Sequence, residues 1–106
     1  MIKKSDFEIT KERDKVQKIT RFSVTGHVNS KNSSALKFRL DTALEAGETN
    51  IILNMANVKF LSSDGIRIIL NTYKEAEKAG GKFGIEDPSG PVRNVLGTVA
   101  LNSLLI

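Results

Sequence analysis

Four consecutive residues concentrate the chemistry this chain can offer: Ser62-Ser63-Asp64-Gly65, set between the apolar Val58-Lys59-Phe60-Leu61 and the amphipathic Ile66-Arg67-Ile68-Ile69-Leu70. A strand that turns directly into a helix leaves the first backbone N–H groups of that helix without intrahelical partners, at the positive end of its dipole. A hydroxyl placed there can cap the helix, contributing roughly 1 kcal/mol, or carry a phosphate that the same N–H groups favour. Both uses are open to Ser62 and Ser63, and they can coexist.

The other reactive side chains do not converge. His27 is the only histidine and the chain has no cysteine, which excludes disulfides, thiolate metal sites and thiol catalysis and argues against a nucleophilic triad. Asp41, Glu45 and Glu48 fit a solvated helix face better than an acid/base pair, and Gly80, Gly81 and Gly84 form neither GxGxxG nor a Walker loop. No catalytic residue, metal ligand or cofactor is therefore expected, and the chain reads as a protein that is not an enzyme. A charge of +4 would suit nucleic acid, but the Lys and Arg are scattered and the aromatics amount to five Phe and one Tyr. That pattern points away from direct nucleic-acid binding; a basic surface can equally steer an acidic protein partner.

The elements that must position the serines follow from periodicity. In 106 residues, 40% hydrophobic and 26% charged, we expect one domain, residues 1–106, with no linker. No apolar run approaches the roughly 20 residues of a membrane span, and the charged first 18 residues do not resemble an export signal. Together with the missing cysteines this leads to an expectation of a cytoplasmic protein without a membrane partner. Phe7-Glu8-Ile9-Thr10 and residues 16–24 alternate as strands, with residues 11–15, KERDK, as the hairpin turn and Gly26 as the end of the second strand. A polar loop through His27, Val28, Asn29 and Ser30 leads to a helix over residues 35–46, capped by Ser33 and stopped by Gly47.

Residues 50–54 read as a buried strand, and residues 58–61 resume the approach to the serine turn. A second helix starts at Asp64 or Gly65, with Ile66, Ile69, Leu70 and Tyr73 on its inner face, and stops at Ala79-Gly80-Gly81. Residues 82–86 alternate as a strand. A third helix has Ser89 as cap, Pro91 in its first turn and Val92, Val95 and Leu96 facing inward, and the apolar tail, residues 101–106, folds back on the body. Strands alternating with helices at this spacing imply parallel crossovers and an α/β fold.

The run from residue 50 to 70 resembles the STAS family, the domains of anti-sigma factor antagonists and of sulfate-transporter tails. The pattern is an apolar strand, Asp or Asn, a hydrophobic pair, then Asp/Ser-Ser-x-Gly and a hydrophobic helix start. Gly26, the helix end at residues 74–81 and residues 91–96 add to the likeness, which covers about residues 19–105. It implies a STAS-like mixed β-sheet with helices mainly on one face. With Gly65 aligned to the family glycine, it also implies that Ser63, less favourably Ser62, is a phospho-acceptor. Asn29, Ser62, Ser63, Asp64, Gly65 and Arg67 would form the partner-binding surface. The implied partner is a serine kinase that is also an anti-sigma factor, bound in the unmodified state so that a sigma factor is released; a serine phosphatase would reverse the mark.

Against this pattern the chain has Ser62, Asn54 and Asn29 where acidic residues are common, and an added Asp64 after the acceptor. The alternative within the family is a scaffold or signalling adaptor in which Ser63 is never modified. A small ligand-binding domain or enzyme and a detached transporter tail are more distant readings, and the oligomeric state stays open.

Overall fold

The computed structural model describes residues 6–106. Its elements are β1 (Phe7–Asp14), β2 (Ile19–Val28), α1 (Ser33–Glu45), β3 (Asn50–Leu61), α2 (Ser63–Lys78), β4 (Lys82–Glu86) and α3 (Gly90–Thr98), followed by a 3-10 turn over Asn102–Leu104. The four strands lie in chain order in one mixed sheet, β1 antiparallel to β2, and β2, β3 and β4 mutually parallel. Each parallel step needs a crossover, and α1 and α2 supply the two. Because such crossovers are right-handed and both advance in the same direction, the helices fall on the same face, where they lie against each other.

Alternation in β2 shows which face that is. Thr20, Phe22, Val24, Gly26 and Val28 point into the core, while Ser23, Thr25 and His27 on the opposite face stay exposed. Ile51, Leu53, Met55, Val58 and Leu61 of β3 join Phe83 and Ile85 of β4 in this core. The helices close it with Leu36, Leu40 and Ala43 of α1, Ile69 and Ala76 of α2, and Val92 and Leu96 of α3. Each large apolar side chain so buried contributes roughly 1.5–3 kcal/mol. The tail packs as its composition predicts: Leu104 is buried, Leu105 pairs in parallel with Ile85, and the Ile106 N–H donates to the Ile85 carbonyl at 2.9 Å.

Several expected boundaries move. The segment KERD belongs to β1 rather than to a turn; the chain reverses over residues 15–18, where Asp14 Oδ1 accepts from the Val16 and Gln17 N–H groups at 3.0 and 2.9 Å. Gly26 does not end β2 but lies within it at φ +98°, and a Cβ there would stand 2.1 Å from the Asp6 carbonyl oxygen. The stretches 50–54 and 58–61 are one strand whose register against β2 shifts between Ser23 and Thr25 and again between Gly26 and His27.

Helix starts and inner faces also differ in detail. Helix α1 begins at Ser33 itself, preceded by Asn32, and α2 begins at Ser63, one residue before the expected start. The inward ridge of α2 is Gly65, Ile69, Thr72 and Ala76, with Ile66 and Tyr73 on its flanks and Leu70 only half-buried. Strand β4 has the expected limits and helix α3 the expected start, with the Val92 N–H donating to Ser89 Oγ at 3.3 Å.

Candidate functional site

The parallel register places Val28 beside Leu61, so the loop after β2 and the turn after β3 emerge at the same end of the sheet. They are joined there: the Ser62 N–H donates to the Val28 carbonyl at 2.8 Å. Ser62 is the N-cap of α2, in extended conformation (φ −79°, ψ 167°), and its Oγ accepts from the Gly65 N–H at 3.2 Å while its carbonyl accepts from the Ile66 N–H at 2.9 Å. Of the first four N–H groups of α2, two are thereby satisfied. Those of Ser63 and Asp64 have no protein partner among the described residues, as the first turn of a helix ordinarily leaves them.

The division of labour between the two serines follows from this. Ser62 is fixed by its cap, whereas Ser63, the first residue of α2, is exposed and its hydroxyl has no hydrogen-bond partner among the described residues. Asp64 and Arg67 lie one turn apart on the same helix, with Arg67 Nη1 3.7 Å from Asp64 Oδ1 and the side chains 72% and 45% exposed for Arg67 and Asp64 respectively, a loose pair that solvent screens. Gly65 is buried for a packing reason: a Cβ would come within 2.8 Å of both Leu61 Cδ1 and Val28 Cγ1, so only glycine lets α2 settle this closely on the strand ends.

Asn29 lies in the adjoining loop at the same end, but its side chain is occupied. Its Oδ1 accepts from the Lys31 and Asn32 N–H groups at 3.0 and 2.9 Å, and its carbonyl accepts from the Ser33 N–H at 2.9 Å, folding the entry to α1. Asn54 stands in the interior of β3, not at its end, and its amide donates to Glu86 Oε2 at 2.9 Å and to Asp87 Oδ2 at 3.3 Å. This hydrogen bond, with the Arg21 guanidinium 2.8 Å away, holds the Glu86 carboxyl below the usual range.

One residue of this end escaped the sequence pattern. Phe60 pairs in register with His27 on the face away from the helices and is 48% exposed, beside the exposed Lys59. The signal was the spacing of Val58 and Leu61: with both facing inward, two residues between them must point out, and one is aromatic. The end therefore presents an accessible hydroxyl, two N–H groups without a partner among the described residues, a long exposed cation and an exposed aromatic ring. Among the described residues no group of three His, Cys, Asp or Glu could hold a metal ion, and no helix is long and apolar enough to cross a membrane.

The family model for the STAS domain matches residues 10–105. The chain is similar to an anti-sigma F factor antagonist of Paenibacillus polymyxa, 27% identical over 74 residues, which are 69% of this chain and 63% of that relative's length. Among solved structures it is similar to the anti-sigma factor antagonist SpoIIAA in its unphosphorylated form, with a TM-score of 0.81 at 22% identity, covering 93% of this chain and 86% of that one. The Bacillus SpoIIAA in phosphorylated form gives a TM-score of 0.75 at 21% identity, covering 93% and 89%.

Proposed function

We propose, from the premise that this chain belongs to the STAS domain family, that it is an anti-sigma factor antagonist switched by phosphorylation of Ser63. In the unmodified state it would sequester a serine kinase that is also an anti-sigma factor, releasing a sigma factor, and a serine phosphatase would restore that state. The chain acts in the cytoplasm as a single binding module and performs no catalysis of its own. The observation that carries this reading is the exposure of the Ser63 hydroxyl at the mouth of α2 while Ser62 is engaged as the cap.

The physical basis of the switch is local. Phosphorylation adds about −1.5 to −2 charges and three acceptor oxygens where a partner had met a neutral hydroxyl. A tenfold change in affinity requires only about 1.4 kcal/mol, within reach of one such group in the middle of a contact. The partner surface comprises Ser62, Ser63, Asp64, Gly65 and Arg67, with the loop at Asn29 beside it and Phe60 as an apolar contact. The relatives support this reading by the function their names carry, that of anti-sigma factor antagonists.

The test is incubation of the purified chain with candidate serine kinases and ATP, with the modified residue mapped by mass spectrometry. Phosphate on Ser63, and partner binding abolished by it, is the expected outcome. Modification elsewhere, or Ser63→Glu and Ser63→Ala variants that bind the partner equally, would instead favour an unmodified scaffold.

A further inference from the structure

We infer that Arg67 is the positioning cation of the switch: on modification of Ser63 it leaves Asp64 and pairs with the phosphate. The inference rests on the reading of Ser63 as phospho-acceptor and adds the device that would accommodate the charge. Ser63 and Arg67 are four residues apart on α2, and Asp64 and Arg67 three apart, so one guanidinium serves both positions on neighbouring tracks of the same helix face. In the unmodified chain it sits at the longer range of an ion pair, 3.7 Å from Asp64 Oδ1, in a side chain 72% exposed and free to swing.

A phosphoserine dianion competes for that guanidinium on better terms than a carboxylate. It carries more charge, and its oxygens match the planar donor fork for two parallel hydrogen bonds. It also repels the Asp64 carboxylate next to it, which gives Asp64 a reason to turn away once its cation is taken. The result is an exchange of partners: a hydroxyl beside a loose Asp64–Arg67 pair becomes a phosphate–Arg67 pair beside a free carboxylate. Modification thus changes three side chains of the surface at once, and the docking partner meets a different charge pattern rather than one added group. Lys59, also exposed near the turn, lies on β3 before the cap instead of on the helix face and has no part in the exchange.

The experiment installs phosphoserine at position 63 by codon reassignment and follows its second ionisation by phosphorus NMR in the otherwise native chain, in Arg67→Gln and in Lys59→Gln. A cation paired with the phosphate favours the dianion and lowers that pKa from about 6. Arg67→Gln is expected to raise it by roughly 0.3 units or more, the scale of a helical ion pair, while Lys59→Gln leaves it in place. An unchanged value in Arg67→Gln, or equal rises in both variants, overturns the exchange. Because no kinase is involved, this result stands apart from whether a kinase modifies Ser63; failure of that step would sink the switch and leave the pairing measured.

Discussion

At the start of β2, Thr20 is completely buried, its hydroxyl donating to Glu48 Oε1 at 2.9 Å and accepting from Arg13 Nη1 at 2.8 Å, while Lys11 Nζ lies 2.8 Å from the same Glu48 oxygen. Just past the end of β3, Ser63 is exposed with its hydroxyl unengaged among the described residues, and the Asp64–Arg67 pair beside it is at 3.7 Å. Both ends belong to the same pair of parallel strands and are built from the same kinds of group, a hydroxyl, a carboxylate and a cation. The first ties every polar group to another across the fold, as a buried site must to avoid the cost of an unpaired group. The second leaves its groups open to water, so what they do for stability is small and they stay accessible to a partner. The contrast separates polar residues that hold the architecture from those available for recognition.

The sharpest way to break this contrast is to disturb the packing on which the open end rests. Gly65→Val forces a side chain into contacts already at 2.8 Å and is expected to destabilise the fold by about 1–3 kcal/mol, read by urea denaturation. Ser63→Glu should do the opposite: stability within about 0.5 kcal/mol of the parent, but affinity for the proposed kinase partner reduced about tenfold or more, measured by titration calorimetry. A stability loss as large as that of Gly65→Val would mean that Ser63 belongs to the architecture after all. Ser62→Ala lies between the two, removing the cap on the Gly65 N–H at a cost of about 1 kcal/mol.

The smallest effect concerns the closed end and depends on pH. The hydrogen bond from Lys11, then the bond from Thr20 and the charges of Lys11 and Arg13, hold the Glu48 carboxyl below its ordinary 4.5, in spite of its partial burial. A lowered pKa in the folded state means that its stabilisation is present above the unfolded value and disappears as the pH falls through the folded one. Glu48→Gln should therefore be less stable than the parent near neutrality and converge on it in acid. Parallel stability curves down to pH 3 would show that the network contributes no linkage.

The order of strands and helices was legible in the sequence, because each buried element keeps a clear period. Strand β4 and helix α3 are examples: Lys82-Phe83-Gly84-Ile85-Glu86 alternates without interruption, and Ser89 and Pro91 mark the helix start twice over. What was not legible lies where one side of an element is unburied. In β1 only Phe7 and Ile9 pack against the core, so the following charges imitate a turn, and the actual turn signal was the short side chain of Asp14. In β3, Ala56 and Asn57 are both exposed at the register shift, which hides the continuity of the strand.

At the site, the serine turn, its helix and the Asn29 loop were visible. The role split between Ser62 and Ser63 was not, since both hydroxyls suit a cap and only the backbone geometry selects one. Phe60 was hidden by the second register shift of β3, opposite Gly26 and His27, where two neighbouring residues, Lys59 and Phe60, are both exposed.

The charges of β1 have a consequence beyond their place in the fold. This strand forms one margin of the sheet, and a margin carries backbone donors and acceptors that any extended chain can adopt as a template. Lys11, Glu12, Arg13 and Asp14 put four charged side chains along its second half, three of them already engaged within the fold, so a foreign strand docking there meets charge that it must desolvate or displace. Charges on an edge strand oppose such pairing, and here they are the very residues that make this stretch look least like a strand.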